Sequence, residues 1–243
     1  RFFTCDLLGA PTMKMDLVYN PVAGSFRRDR LARLQRAFEA VGIDVNPMPT
    51  SAGGSKLSGK ADLVCVHGGD GTLRDTVQAM GKAAGRVPIA LAPAGTINLV
   101  ARELGYAQSP EKLARQIAEA WERGPEGWTK SPLYRLGDMP IVSCLSIGPD
   151  SHAVASVSGE LKKRIGRYAY VVSLMRQLRH WPRATMDIRG ELADGSRFAI
   201  EAEAAIVSHG ALYGGPFRLS GAAALDEDSV ELISLRRSTR WGI

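Results

Sequence analysis

The sequence is poor in cysteine and has no long apolar run. Its three cysteines, Cys5, Cys65 and Cys144, are odd in number and widely spaced, which argues against a disulfide framework or a zinc site. Cys65 lies within an apolar strand pattern, so we expect it to be a small core residue. No apolar stretch of the sequence reaches the roughly 18 residues that a membrane-spanning helix needs. We therefore expect a globular, cytoplasmic protein without an integral membrane segment.

Both standard nucleotide-binding fingerprints are also missing. The sequence has no G-x-x-x-x-G-K-[ST] loop, and no G-x-G-x-x-G turn with an acidic residue at the required distance. The formal net charge of +6 favours anionic partners. Basic residues are not interleaved with aromatic residues as they are in nucleic-acid-binding modules, so we expect no nucleic acid partner. A phosphate site in this chain must belong to another architecture.

Strand-like and helix-like patterns alternate in the first half of the chain. Buried strands are predicted over 15–20, 61–67 and 87–95, and apolar residues at helical spacing predict a helix after each of them. Ser109 as N-cap, followed by Pro110, marks the start of a further helix. Strands that alternate with helices indicate parallel pairing and an α/β layer structure.

The pattern changes after the segment 124–128. Apolar residues at every second position then predict strands, and Asp194-Gly195 is a hairpin turn signal. One helix, over 161–175, interrupts this β-rich half. We predict an α/β domain over 13–125 and a mostly β domain over 126–243. The first twelve residues are expected to be a leader, or a remnant of the expressed gene, before a native start at Met13 or Met15.

Three glycine-containing loops stand at the carboxyl ends of the predicted strands. They are "NPVAG" (Asn20–Gly24), "GGDGT" (Gly68–Thr72) and "PAGT" (Pro93–Thr96). Ligands of open α/β sheets bind beyond this edge. The last two loops open into helices, whose N-termini carry partial positive charge and free N–H donors that suit phosphate. Thr72 can cap its helix or donate to a phosphate oxygen, and we predict a phosphate site where the loops meet.

Asp70 is the acidic residue among these glycines. A carboxylate repels phosphate unless a cation mediates, and Mg²⁺ is often held by one carboxylate together with substrate phosphates. Asp70 is therefore a candidate metal ligand, or the group that orients an attacking hydroxyl. The alternative is an aspartate that hydrogen-bonds its own turn. The three glycines around it indicate either a tight turn or space for a ligand at the backbone.

Together these loops resemble the diacylglycerol kinase catalytic domain, in particular that of soluble bacterial lipid kinases. "NPVAG" is similar to the family's N-P-x-x-G loop, "GGDGTLRDTV" to G-G-D-G-T-x-N-E-V, and "LAPAGTINLVARELG" to L-P-x-G-T-x-N-x-x-A-R-x-L-G. The second half contains three further parallels in the family's order, "CLSIGPDSHAV", "LKKRIGRYAYVVSLM" and "GALYGGPFRLSGAAALDEDSVELISL". NAD kinase shares the G-G-D-G-T turn, but the first and third motifs match the lipid kinases.

The resemblance implies a nucleotide-binding α/β domain and a C-terminal β-sandwich, with ATP and Mg²⁺ between them. It implies transfer of the γ-phosphate to a lipid hydroxyl, with diacylglycerol as the default acceptor and sphingoid base, ceramide or phosphatidylglycerol as rivals. Asp70 would be catalytic and would bind the metal, with Glu227 as a second candidate ligand. The ATP site would be lined by Asn20, Pro21, Val22, Ala23, Gly24, Thr50, Gly68, Gly69, Asp70, Gly71, Thr72, Leu73, Arg74 and Thr96.

A lipid kinase meets its substrate at a bilayer, so the resemblance also implies peripheral membrane contact. The basic residues Lys162, Lys163, Arg164 and Arg167 would favour an anionic surface, since each nearby Lys or Arg contributes roughly 1 kcal/mol. The alternative is a solvated helix face. The oligomeric state stays open, with a homodimer as one option.

The chain departs from the family pattern at several positions. Arg74-Asp75 replaces Asn-Glu, Leu99 replaces an aspartate, His209 replaces an asparagine, and "DEDS" (Asp226–Ser229) replaces D-D-G in the auxiliary metal site. The family's acidic D-G-E segment would lie beyond the last residue, so we expect the β-sandwich to be incomplete in this sequence. These departures keep two alternatives open, an NAD kinase-like enzyme and a catalytically impaired nucleotide-binding regulatory protein.

Overall fold

The computed structural model describes residues 13–23, 26–51, 53–148, 151–152, 172–173, 184–219 and 221–235. Three of the predictions therefore fall wholly or largely outside the described residues. They concern the leader over 1–12, the site residue Gly24, and the basic helix over 161–175, of which only 172–173 are described.

The secondary structure alternates at first and becomes β-rich later, as predicted. The helices are α1 (Arg28–Glu39), α2 (Asp70–Met80), α3 (Leu99–Glu103) and α4 (Pro110–Glu122). The strands of the first half are β1 (Met13–Tyr19), β2 (Ile43–Pro49), β3 (Leu63–Gly68) and β4 (Ile89–Pro93). Those of the second half are β5 (Tyr134–Leu136), β6 (Met139–Ile141), β7 (Cys144–Ile147), β8 (Met186–Glu191), β9 (Arg197–Ala202), β10 (Ala204–Ser208), β11 (Leu212–Tyr213), β12 (Phe217–Arg218) and β13 (Glu231–Leu235).

A four-stranded parallel sheet organises the first half. Its strand order is β2-β1-β3-β4, so β1 and β3 are central and β2 and β4 are edges. Because parallel strands need a crossover connection, α1 links β1 to β2 and α2 links β3 to β4, and β2 is joined to β3 by a loop. The prediction of an α/β domain with parallel strands is confirmed.

The two faces of the sheet carry separate apolar clusters, because successive strand residues point to opposite faces. One cluster joins Cys65 of β3 to Phe38 of α1 and Leu113 of α4. Cys65 is fully buried there, as expected, and burial raises the pKa of its thiol. The opposite cluster packs Val66 of β3 under α2 and α3, and also includes Leu225 from the second half of the chain.

β2 was not predicted, because Pro47 and Pro49 interrupt its pattern. In the structure both prolines lie in an edge strand that pairs only with β1 among the described residues. An edge position tolerates residues that lack an N–H donor. A central strand needs N–H donors toward both of its neighbours. β2 has only one neighbour, so it tolerates the missing donors of Pro47 and Pro49.

The second half contains antiparallel strands. β10 pairs with β7 on one side and β13 on the other, and β5–β6, β8–β9 and β11–β12 form separate antiparallel pairs. The predicted hairpin turn is confirmed at β8–β9, where Gly195 has φ +81° and Asp194 Oδ1 accepts from Ser196 N at 2.8 Å. The β-rich character is confirmed, while the sandwich arrangement and the boundary at 125/126 stay predictions. Within the described ranges, no helix has the length and apolarity to cross a bilayer.

Candidate active site

The glycine-containing loops meet at the carboxyl edge of the parallel sheet. In the strand register Tyr19 lies opposite His67, and Gly68 lies opposite Pro93, so β1, β3 and β4 end together. Ala94 N continues the β3–β4 pairing past the strand end by donating to Gly68 O at 2.9 Å. The topology therefore places "GGDGT" beside both of the other loops.

Close packing explains two of the three glycines around Asp70, Gly69 through contact with the "PAGT" turn and Gly68 through contact within its own turn. A Cβ on Gly69 would lie 3.2 Å from Gly95 Cα, and a Cβ on Gly95 would lie 2.7 Å from Gly69 Cα. A Cβ on Gly68 would lie 2.5 Å from Thr72 Cβ. These glycines have no positive φ, so contact rather than backbone conformation requires them. The "GGDGT" and "PAGT" turns touch backbone to backbone.

Asn98 holds the second of these turns in shape. Its Oδ1 accepts from Gly95 N at 2.8 Å, and its Nδ2 donates to Gly95 O at 2.9 Å. Asn98 has φ 53°, a left-handed conformation that asparagine tolerates better than most residues. The turn is therefore fixed against Gly69 by its own side chain. Sequence reasoning had not assigned this role to Asn98.

Gly71 is the glycine whose surroundings leave room for a ligand. A Cβ on Gly71 would meet no described atom within 4 Å. Gly71 is the second residue of α2, and the N-cap Gly69 supplies no side-chain cap. The first N–H groups of a helix lack intrahelical acceptors, and those of α2 lie at the sheet edge. This uncapped N-terminus can bind an anion such as phosphate.

Both carboxylate oxygens of Asp70 accept hydrogen bonds from the first turn of α3. Oδ2 accepts from Leu99 N at 3.0 Å, and Oδ1 accepts from Val100 N at 3.2 Å. The carboxylate thus caps α3 while belonging to the first turn of α2, and both helix N-termini stabilise its charge. The alternative in which Asp70 bonds its own turn is wrong, because its partners lie in the next loop-helix unit. Its catalytic and metal-binding roles stay predictions.

The loop after β1 completes the edge of the site. Asn20 Oδ1 accepts from Val22 N at 3.0 Å, which closes a local turn and leaves Val22 88% exposed. Pro21 is also exposed, and Ala23 N donates to Asn20 O at 3.2 Å. Thr50 follows β2 and donates its N–H to the last residue of β1 at 2.8 Å. Asn20 and Thr50 therefore both lie at this edge, and their roles in binding a nucleotide stay predictions.

Two predicted site residues, Leu73 and Thr72, have buried side chains, and a third, Arg74, pairs with its neighbour Asp75. Leu73 is 7% exposed and packs in the cluster under α2, so its side chain cannot line a nucleotide site. Thr72 does not cap α2, and its side chain is buried against Gly68. Arg74 Nη2 lies 2.8 Å from Asp75 Oδ1 in a half-exposed ion pair. Thr96, in contrast, is exposed in the "PAGT" turn as expected.

The model of the diacylglycerol kinase catalytic domain family matches residues 14–124, which contain all three loops. These residues are therefore similar to that family's catalytic domain. The matched region, which we call the kinase domain, includes the whole parallel sheet and α1 to α4, except for the first residue of β1.

Two curated relatives show how far the similarity extends. A protein of Pseudomonas putida (strain KT2440) named "Probable lipid kinase YegS-like" is 32% identical over 127 residues, which cover 52% of this chain and 41% of that protein. A diacylglycerol kinase of Bacillus subtilis (strain 168) is 22% identical over 231 residues, which cover 91% of this chain and 73% of that protein. The chain thus spans less than half the length of the first relative.

The solved structures agree on the fold. A diacylglycerol kinase from Bacillus anthracis str. Sterne has a TM-score of 0.68 at 21% identity, with 94% of this chain and 75% of that chain covered. The similarity extends beyond the kinase domain into the β-rich second half. The fold of both parts is therefore that of the solved kinases.

The resemblance to the family implies a metal ion beside a bound nucleotide. Within the described part of the chain, no group of three or more His, Cys, Asp or Glu side chains could hold one. A carboxylate has about four lone-pair sites, so Asp70 retains acceptor capacity beyond its two N–H donors. The residues fit a Mg²⁺ held by one carboxylate, phosphates and water, and do not fit a site built from protein ligands alone. Glu227 is exposed, and its metal-binding role stays a prediction.

His67 is a buried core residue next to the "GGDGT" turn. Its Nδ1 lies 3.0 Å from Ala92 O, and its Nε2 is buried without a partner among the described residues. Burial lowers its pKa, the hydrogen bond to Ala92 opposes this shift, and nearby Arg30 adds to it. His67 is two residues after Cys65 in β3, so it points to the same face of the sheet, where its ring centroid lies 6.3 Å from that of Phe26.

An apolar cavity of about 660 Å³ lies along the edge strand β4 of the kinase domain. Its walls include Val77 of α2, Leu91 of β4 and Trp121 of α4. Of the predicted site residues in the described ranges, only Leu73 lines it. The cavity is therefore separate from the uncapped N-terminus of α2.

Proposed function

We propose that this chain carries the catalytic domain of an ATP- and Mg²⁺-dependent lipid kinase, which transfers the γ-phosphate to a lipid hydroxyl. The observation that carries the proposal is the uncapped N-terminus of α2, with open space at Gly71, inside a diacylglycerol kinase catalytic domain. The curated relatives bear lipid kinase or diacylglycerol kinase names, which favours a lipid acceptor over NAD.

The chain's own residues would act mainly by positioning. Backbone N–H groups at the start of α2 would bind phosphate oxygens, and Asn20, Thr50 and Thr96 would contact the nucleotide around them. When bound, ATP with Mg²⁺ supplies the transferable phosphoryl group and neutralises its charge. Phosphoryl transfer depends on alignment and electrostatic stabilisation more than on covalent chemistry. Asp70 would hold the α2 and α3 N-termini in register and add one carboxylate beside the phosphates.

The acceptor is a lipid at a membrane surface, with diacylglycerol as the default. Peripheral contact with that surface, a cytoplasmic location and a homodimer are parts of the same proposal. The net charge of +6 supports contact with anionic lipid, whose attraction falls as salt screens it.

Transfer of labelled γ-phosphate tests the activity directly. Purified protein is incubated with ATP and Mg²⁺ and a panel of diacylglycerol, sphingoid base, ceramide and phosphatidylglycerol in mixed micelles, with NAD as a parallel acceptor. We expect label in a lipid and none in NAD. If NAD alone became labelled, the lipid kinase proposal would be wrong and the NAD kinase-like alternative would take its place.

Gly71→Ala tests the location of the nucleotide. The new Cβ faces open space and the backbone conformation is ordinary, so we expect unchanged or slightly raised stability. If phosphate binds at this backbone, the affinity for ATP falls at least about tenfold, or about 1.4 kcal/mol. Gly85→Ala, also in open space but outside the site, is the matched control. If Gly71→Ala and Gly85→Ala bound ATP equally well, the phosphates of ATP would not bind at the N-terminus of α2.

A catalytically impaired nucleotide-binding protein is the second candidate. It is favoured by the two backbone N–H groups that already engage Asp70. It predicts that ATP binds at the α2 N-terminus, with the same loss in Gly71→Ala, but that no acceptor becomes labelled. The transfer assay and the binding assay together separate the two candidates.

A further inference from the structure

Helix α3 makes a carboxylate contact at each of its ends. At its N-terminus Asp70 accepts from Leu99 N and Val100 N. At its C-terminus its last residue, Glu103, accepts from Ala211 N at 2.9 Å through Oε1, and from Leu212 N at 3.3 Å through Oε2. The helix is only about 7.5 Å long at 1.5 Å per residue. It therefore joins the glycine turns to a loop of the β-rich half.

The Glu103 carboxylate lies so close to Gly210 that a side chain at residue 210 would have to displace it. A Cβ on Gly210 would lie 2.6 Å from Glu103 Oε2 and 3.2 Å from its Cδ. A carboxylate at the C-terminus of a helix is disfavoured by the helix dipole. The two N–H donors of the loop offset this cost, so Glu103 is explained by its contact across the two halves rather than by its own helix.

The loop that Glu103 contacts is itself fixed to the β-rich half. Ser208 Oγ donates to Gly210 O at 2.6 Å, and His209 N donates to Ser143 O at 2.8 Å just before β7. Ala211 O accepts from Leu219 N at 3.0 Å. A shift at Glu103 would therefore move an anchored segment and not a free loop.

We propose that α3 is a rigid connector between the glycine turns and the β-rich half, and that Glu103 is a positioning residue of the kinase. Asp70 and Glu103 act on the same short helix, so a change at either end is felt at the other. The effect on phosphate transfer rests on the function proposed above. The proposed mechanical coupling does not, because it is argued only from the hydrogen bonds at the two ends of α3.

Amide hydrogen exchange tests the coupling without any activity. Glu103→Gln leaves one carbonyl acceptor for two donors, so we expect exchange at the amides of Ala211 and Leu212 to rise at least about tenfold. Asp70→Ala should raise exchange at the same two amides severalfold, although Asp70 bonds neither. Asp70→Asn, which keeps one acceptor, serves if Asp70→Ala does not fold.

Exchange within the β8–β9 hairpin reports whether the variants are folded and should not change. Asp44→Ala, at an exposed carboxylate of β2, is the control and should leave Ala211 and Leu212 protected. Unchanged protection of these two amides in both folded Asp70 variants would overturn the connector.

Kinetics test the positioning role of Glu103. The enzyme concentration is counted as the concentration of ATP-binding sites. Glu103→Gln and Gly210→Ala should then lower kcat for the lipid about tenfold relative to wild type, while the Kd for ATP changes by no more than about twofold. Gly221→Ala, which adds a Cβ in open space, is the control. Equal losses in ATP affinity and kcat would overturn the positioning role. Wild-type protein that transfers no phosphate would contradict the proposed function, while the exchange test would still decide the connector.

Discussion

Two residues without side chains set the distance between the turns of the candidate site. Gly69 and Gly95 face each other so closely that a single added carbon would reach the opposite backbone. Interiors at this density transmit small changes in volume instead of absorbing them. The spacing of the N-termini of α2 and α3 therefore depends on both glycines.

Gly95→Ala is expected to destabilise the protein by about 1–3 kcal/mol, the usual cost of overpacking. The new Cβ would lie 2.5 Å from Asn98 Oδ1 and 2.7 Å from Gly69 Cα, and backbone cannot move aside as a flexible side chain can. Urea unfolding measures the change. Gly85→Ala is the control, and a Gly95→Ala variant as stable as this control would show that the turns do not touch.

The chemistry of individual residues was only partly predictable from the sequence. The glycines and Asp70 were found because three loops shared one type of position relative to their strands. The hydrogen-bond partners of Asp70 were not found from the sequence, because Leu99 and Val100 lie 29 and 30 residues further along the chain. No local spacing encodes such a contact. Glu103 was missed for the same reason, since its partners lie 108 and 109 residues away.

Whole elements were predicted best where apolar periodicity and caps agreed. β1, β3 and α4 were found close to their observed bounds, and Ser109 Oγ accepts from Lys112 N at 3.2 Å as an N-cap should. β2 was missed because its prolines mask a strand pattern that only an edge position permits. The short pair β5–β6 offers three residues per strand, too few for a period to be recognised.

Ser109→Ala is expected to cost about 1 kcal/mol of the unfolding free energy, because α4 loses the acceptor for an N–H in its first turn. α4 packs beside α1, so the loss should appear in the cooperative unfolding of the whole α/β sheet. Chemical denaturation followed by circular dichroism gives the value. Ser131→Ala, at an exposed serine, is the comparison, and equal midpoints for both variants would argue against the cap.

At the scale of the whole molecule, buried histidines link stability to pH. Burial lowers the pKa of His67 and of His209, and nearby Glu103 partly opposes the shift at His209. The unfolded chain therefore binds more protons than the folded chain once the pH falls below about 6.5. The stabilising contribution is complete above that pH and is lost progressively below it.

We expect the urea concentration at the unfolding midpoint to decrease when the pH is lowered from 7.5 to 5.5. The decrease should be smaller in His209→Asn than in wild type. Asparagine is the residue that the family pattern has at this position, and it does not titrate. His152→Gln, at an exposed histidine, should show the full pH dependence. A His209→Asn variant with the same dependence as wild type would assign the effect to other groups.

Because Leu225 comes late in the chain, the apolar cluster on the α2 face of the sheet can be completed only late in translation. It is 3% exposed in the cluster that covers the α2 face of the sheet, together with Val66 and Val77. A ribosome that has just finished residue 125 must add 100 more residues before Leu225 exists, which takes about 5 to 20 s at 5–20 residues per second. Until then, the apolar cluster on the α2 face of the nascent sheet lacks the contact with Leu225. During translation, this face is where a chaperone would find apolar surface to hold.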